Sequence, residues 1–245
     1  METQIGHWHE EIFPARAYEC GVGNRVTLAT LCNFMQEAAG IDANNLGWGI
    51  RHLQEEGKTW MLSRLHVRVS RYVAWGGSVK VRTWPSGRKG RLVALRCFRA
   101  EDASGAAVFE ARSEWLYVDM RAMKIAVLPP EFDSLVAEGV PQVEFPDIGG
   151  KFAALDGVDG AARVLVRASD LDFNDHVNNV HYVEWALEPL GADAAPAEMD
   201  IVFRSAAKAG DELVSEFRRD GDATRHLIRR AAGGDALASA AFVWA

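Results

Sequence analysis

The sequence predicts an α+β protein of two like units, each an antiparallel sheet wrapped around one long helix. Two helix-periodic stretches, each followed by alternating strand-like runs, carry that reading. A third observation is the proline- and acid-bearing stretch between them, in a chain of 245 residues whose 49% apolar content is enough for a proper core. In the first half, Thr27 or Thr30 is placed to cap a helix in which Leu28, Leu31, Met35 and Ala38 recur at helical spacing. Past Gly57 the period changes to two: Trp60 and Leu62, then Leu65, Val67 and Val69. The phase slips by one residue between Leu62 and Leu65, which predicts a bulge or bend in a long strand. Further strands are expected at Val79-Val81-Thr83, at Val93-Leu95-Cys97 and from Phe109 to Tyr117, parted by Gly-rich turns.

Between Pro129-Pro130 and Gly149-Gly150 periodicity fades, and this stretch reads as a connection. The pattern then restarts. Arg163 to Arg167 reads as a strand and Asp172 to Leu187 as loop and helix; alternation returns at Ile201-Val202-Phe203, Leu213-Ser215-Phe217, Leu227-Ile228 and Ala241-Val243. The expected division is a first unit over 1–130, a linker over 131–160 and a second unit over 161–245. A sheet with one apolar face needs a cover, and a single helix wrapped in its own sheet is economical, so the fold class is a tandem double hot-dog.

Composition removes several function classes. No apolar run approaches the roughly 18 residues of a membrane helix, and the start lacks the pattern of a secretory signal, so a cytoplasmic protein is expected. A net charge of -7 argues against general nucleic-acid binding. Cys20, Cys32 and Cys97 are far apart and in no C-x-x-C arrangement, and His7 and His9 lack acidic or cysteine companions. Reduced thiols, no metal and no cofactor are therefore expected. Two basic clusters stand out: Arg88, Lys89 and Arg91, and Arg218, Arg219, Arg225, Arg229 and Arg230.

The densest polar chemistry lies at Asp170-Leu171-Asp172-Phe173-Asn174-Asp175-His176-Val177-Asn178-Asn179. From Val180 the apolar residues Val180, Val183 and Leu187 recur at helical spacing until Pro189 and Gly191 stop the pattern. The cluster therefore sits at a helix N-terminus, where unpaired N–H groups and the helix dipole favour negative charge, including that developing on a carbonyl oxygen under attack. One cap needs one Asp or Asn, and this segment carries far more.

These residues resemble the acyl-acyl carrier protein thioesterases, with two hot-dog units in tandem, over nearly the whole chain. Leu31 to Gly40 looks like the family's first helix and Trp60 to His66 like its first long strand; Arg82-Thr83-Trp84-Pro85 and Ser113 to Asp119 extend the likeness. Asp170 to Asn179 resembles the catalytic segment, and the family's D-x-N-x-H carries over onto Asp172, Asn174 and His176. The sequence departs where the family carries a Glu before a Gly-Asp turn: Ala206 stands there. Glu184 or Glu37 could take part of that role, or three groups could suffice.

The resemblance implies hydrolysis of a fatty acyl thioester on acyl carrier protein by activated water. A thioester's thiol leaves readily, so water attack is the demanding step. His176 or a carboxylate would be general base, Asp172 would fix the imidazole or hold the water, and Asn174 would position water or carbonyl. Backbone N–H groups from Val177 to Asn179 would form the oxyanion site. No G-x-S-x-G elbow points to a covalent route. An acyl-CoA thioesterase, a non-catalytic acyl-binding module and, more distantly, a hot-dog dehydratase stay open. The acyl pocket is expected among apolar residues of the first helix and facing strands, with the tryptophans as a second choice. Two units in one chain allow a monomer, and a homodimer is also open.

Overall fold

The computed structural model describes residues 8–146, 148 and 155–244. In the first half β1 (His9–Pro14) and a short 3-10 turn precede α1 (Leu28–Asn45) and α2 (Ile50–Glu55). The long strands β2 (Lys58–Val69), β3 (Ser78–Lys89), β4 (Val93–Asp102) and β5 (Ala107–Asp119) follow, with a short β6 (Lys124–Ile125). The second half contains β7 (Gly160–Leu165), α3 (Asn179–Leu187), β8 (Glu198–Phe203), β9 (Glu212–Asp220), β10 (Ala223–Arg230) and β11 (Ala236–Val243).

The first-half order therefore differs from the expected helix-then-strands: β1 comes first and pairs with β3. Its sequence, His-Glu-Glu-Ile-Phe-Pro, has its polar residues in one run and its apolar residues in the next, so it carries no apolar alternation. The helix α2 is also new; with Leu53 as its one buried residue, it is too short to show a period.

The strands form one antiparallel sheet ordered β1-β3-β4-β5-β2-β8-β11-β10-β9-β7, with β6 beside β5. Read from either edge to the middle, the two halves repeat the same path: a double hot-dog, joined at β2 and β8. Both α1 and α3 pack on one face in a single core that includes Leu31, Met35, Val67, Phe98, Val183 and Ile201. The phase slip is a bulge: the register of β2 against β5 shifts between Leu62 and Arg64, which returns Leu65, Val67 and Val69 to the core face.

The repetition extends to the turn ahead of each helix. The Arg16 N–H donates to Glu19 Oε2 at 2.9 Å, and the Arg167 N–H to Asp170 Oδ2 at 2.7 Å. Cys20 bridges to Val26 as Leu171 does to Val177. Asn24 and Asp175 take positive φ, 54° and 60°, a conformation short polar side chains tolerate. Thr27 then caps α1 and Asn178 caps α3, each accepting a backbone N–H of the first turn.

The junction of the halves is ionic on its outer face. Across β2 and β8, His66 stands opposite Asp200. Arg64 Nε donates to Asp200 Oδ1 at 2.8 Å, His66 Nε2 lies 2.7 Å from Glu198 Oε1, and Arg68 Nε donates to Glu198 Oε2 at 3.0 Å. The connecting stretch lies over this face. Phe145 stacks on His66 with centroids 4.1 Å apart, Trp84 Nε1 donates to the Pro141 carbonyl at 2.9 Å, and Val143 packs with Trp84 and Cys97. Gly149 and Gly150 lie outside the described residues. Among those described, no helix is long and apolar enough to cross a membrane.

Two consequences are measurable. Asp200 is fully buried and pairs with Arg64, so Asp200→Ala removes one member of a buried ion pair and is expected to cost about 3 kcal/mol in denaturant unfolding. His226, buried between Phe217 and Phe242, is pushed by burial from 6.5 down to about 3. The folded chain keeps it neutral while the unfolded chain protonates it near its ordinary pKa, so its contribution is complete above that pKa and is lost as pH falls toward 3. His226→Phe should flatten the acid side of a stability-versus-pH curve by up to about 1.4 kcal/mol per pH unit.

Candidate active site

The segment between the 3-10 turn at Ala168–Asp170 and α3 divides its polar groups by task. Asp170 is spent on structure: its carboxylate takes the Arg167 N–H, and its carbonyl accepts from the Asn178 N–H at 3.0 Å. Asn178 is the cap, with Oδ1 3.0 Å from the Val180 N–H. Asp175 occupies the positive-φ corner and is exposed. Capping and turn chemistry account for these three.

Asp172, Asn174 and His176 are left, and they share one tight loop. Asp172 Oδ1 accepts from the Asn174 N–H at 2.8 Å and, more weakly, from the His176 N–H at 3.4 Å. The Asp172 N–H donates back to the His176 carbonyl at 2.7 Å. The carboxylate therefore grips the backbone that bears the other two side chains rather than the imidazole ring. Asn174 Oδ1 accepts from Gln54 Nε2 of α2 at 3.0 Å, so the first half reaches into the loop of the second. The His176 side chain is exposed. Gln54 escapes the sequence reading because its partner is remote in the chain and α2 itself gives no periodic signal.

Directly beyond this loop is an apolar cavity between the two helices and the sheet. Cys32, Met35 and Gln36 of α1, Leu62 and Leu65 of β2, Phe98 of β4 and Trp115 of β5 line one side. Asn179, Val180 and Val183 of α3 and Phe203 of β8 line the other. The expected pocket site, the first helix and its facing strands, is where the cavity lies; of the tryptophans only Trp115 takes part among the lining residues. Its free volume is about 30 Å³, room for a water or two. Burial pushes the Cys32 thiol up to about 12, which keeps it protonated and a poor nucleophile at neutral pH.

Ala206 is exposed, and its carbonyl accepts from Arg230 Nη2 at 2.9 Å. The next residue anchors this turn to α3, the Ala207 N–H donating to the Tyr182 hydroxyl at 2.8 Å. Glu37 is exposed on α1 beside cavity-lining Gln36. Glu184 is exposed on α3, where its Oε2 lies 2.7 Å from His181 Nδ1 and raises the pKa of that histidine. The basic clusters are largely neutralised: Arg88 pairs with Asp133, Lys89 with Glu114, Arg225 with Asp220, Arg229 with Glu216 and Arg230 with Asp211. Among the described residues no three His, Cys, Asp or Glu side chains are grouped to hold a metal; His7 lies outside them.

Family models for the acyl-ACP thioesterase N-terminal and C-terminal domains match residues 6–136 and 156–245. The chain belongs to the acyl-ACP thioesterase family. Among its relatives, an oleoyl-acyl carrier protein thioesterase of Coriandrum sativum is 26% identical over 77% of this chain and 55% of its own length. A dodecanoyl-[acyl-carrier-protein] hydrolase of Cinnamomum camphora is 32% identical over 73% and 50%. Both carry the word chloroplastic in their names, and the chain spans about half the length of these curated relatives. Solved structures share the fold nearly end to end. An acyl-ACP thioesterase from Bacteroides thetaiotaomicron superposes with a TM-score of 0.84 at 22% identity, covering 96% of this chain and 97% of that one. The 12:0-ACP thioesterase from Umbellularia californica gives 0.79 at 22%, covering 99% of each.

In this acyl-ACP thioesterase family member the cap of α3 holds the loop in register. Asn178→Ala should lower stability by about 1 kcal/mol in thermal or denaturant unfolding, while Asn178→Asp should retain most of it.

Proposed function

We propose that this chain hydrolyses the thioester of a fatty acyl-acyl carrier protein, with water attacking directly. The observation that carries the proposal is continuity: the loop bearing Asp172, Asn174 and His176 runs straight into Asn179, which lines the apolar cavity. An acyl chain in that cavity would bring its thioester carbonyl to the start of α3. The names of the relatives, thioesterases and hydrolases of acyl carrier protein esters, support the same reading.

In this reading Asp172 holds the loop by its backbone bonds and fixes the spacing between Asn174 and His176. With Asn174 Oδ1 taken by Gln54, the Asn174 amide NH₂ is the free end, a donor suited to a carbonyl or a water oxygen. The exposed imidazole of His176 takes the proton of the attacking water. At the helix start the N–H groups of Asn178, Val180 and His181 already have acceptors among the described residues, so the Asn179 N–H is assigned to the developing oxyanion. The products are free fatty acid and the carrier's thiol, without a covalent intermediate. Of the two proposed units at 1–130 and 161–245, joined through 131–160, the second supplies the loop and both line the cavity, and since both are in one chain a monomer suffices, with a homodimer as the other form.

A second reading, an acyl-binding protein with little turnover, is favoured by one observation: Ala206 places no acid where the family carries one. An acyl-CoA thioesterase is the third. Fatty acid release from matched panels of acyl carrier protein and coenzyme A esters separates them. Carrier-selective release is expected; equal release from both panels would point to coenzyme A, and binding without release to the second reading. His176→Ala should reduce kcat/KM by about 10²- to 10⁴-fold, the usual span for a general base, and near-native turnover would sink the assignment. Gln54→Ala should lower kcat by roughly tenfold with KM nearly unchanged, because it frees the Asn174 amide to rotate rather than removing a substrate contact.

A further inference from the structure

Beside the apolar cavity lies a charged pair that the proposed hydrolysis does not use. Asp42 continues the buried stripe of α1 beyond Met35, and Arg96 Nη1 donates to its Oδ2 at 2.6 Å. The side chains are 0% and 11% exposed. Arg96 Nη1 also reaches Thr83 Oγ1 at 3.1 Å, and Thr83 is itself tied to the Cys97 carbonyl at 3.1 Å. The second Asp42 oxygen, Oδ1, is buried with no hydrogen-bond partner among the described residues.

The sheet register places this pair against the cavity. Leu65 of β2 stands opposite Ser113 of β5, and Ser113 opposite Arg96 of β4. Leu65 and Ser113 line the cavity, as does Phe98, the next residue on the same face of β4 as Arg96. The row of wall residues thus runs apolar, small, then charged. Each methylene buried along it gains about fourfold in binding, and the gain stops where the next group would have to displace a desolvated ion pair.

We infer that the Asp42–Arg96 pair is the floor of the acyl cavity and sets the longest chain this protein accepts. The inference rests on the acyl-cavity reading above. A flexible apolar floor would yield to an extra methylene by rotating; this one is held by two hydrogen bonds from a single guanidinium nitrogen and resists.

The test is displacement of a fluorescent fatty acid from the intact chain by saturated free fatty acids of increasing length, which needs no turnover. In the native chain affinity should climb about fourfold per methylene to a limiting length and then level or fall. Asp42→Leu combined with Arg96→Met removes both charges at similar volume; its limit should move out by about two carbons, with shorter acids bound within about twofold of native. Ser113→Leu, which fills the place next to Arg96, should move the limit in. An unchanged limit in these variants overturns the floor, and should the double variant fail to fold, Ser113→Leu alone decides in the same way. Absence of any fatty acid binding by the native chain overturns the acyl-cavity reading and the floor with it, whereas a clear limit indifferent to all three substitutions overturns the floor alone.

Discussion

The junction of β2 with β8 is the constraint from which the rest of the molecule follows. If those two strands part, the sheet falls into two, the helices lose their common cover and the cavity between them opens to water. Backbone pairing alone fixes neither partner nor register, since any two edge strands can pair. The side chains supply both. One strand presents Arg64, His66 and Arg68 and the other Glu198 and Asp200, so a slip of β2 by one residue would turn its ionic groups into the core and Leu65 and Val67 out of it. Desolvation makes such pairs weak contributors to net stability, but strong discriminators against the wrong alignment.

That junction also explains why the proposed site needs both halves. The helix α3 brings the loop and, with β8, one side of the cavity, while α1 and its facing strands bring the other, and the two helices meet in one core because their sheets are continuous. Gln54 adds a direct strut from α2 to Asn174. On the outer face the connecting stretch carries Phe145 onto His66 and Val143 onto Cys97, which shields the ionic seam from water and strengthens it. The same chain segment that joins the halves covalently thus also covers their contact.

Much of this was legible in the sequence because period is a local property. The helix from Leu28, the strands that follow it and even the bulge near Ser63 announce themselves through the spacing of a few apolar residues. The loop was legible by the crowding of Asp, Asn and His ahead of a helix, though the sequence could not say that Asp170 and Asn178 are consumed by backbone N–H groups. What stayed hidden depends on distant partners: β1, whose polar and apolar residues do not alternate; α2, shorter than a period needs; and the contacts Gln54–Asn174 and Arg96–Asp42. The carboxylates beside the basic clusters were also hidden, because a run of arginines in sequence does not show the acids that the fold brings to them.

Cys20-Gly21-Val22-Gly23-Asn24-Arg25-Val26 and Leu171-Asp172-Phe173-Asn174-Asp175-His176-Val177 have the same bridge, the same left-handed corner and the same hand-over to a capped helix. Where the second copy has Asp172, Asn174 and His176, the first has Gly21, Gly23 and Arg25, with Arg25 turned to Asp193 at 2.9 Å. The backbone path is therefore reached in the first copy without a carboxylate, amide or imidazole, and Asp172 tightens a path that exists without it. The molecule carries its own control experiment: what the copies share is the price of the shape, and what only one copy has is surplus to it.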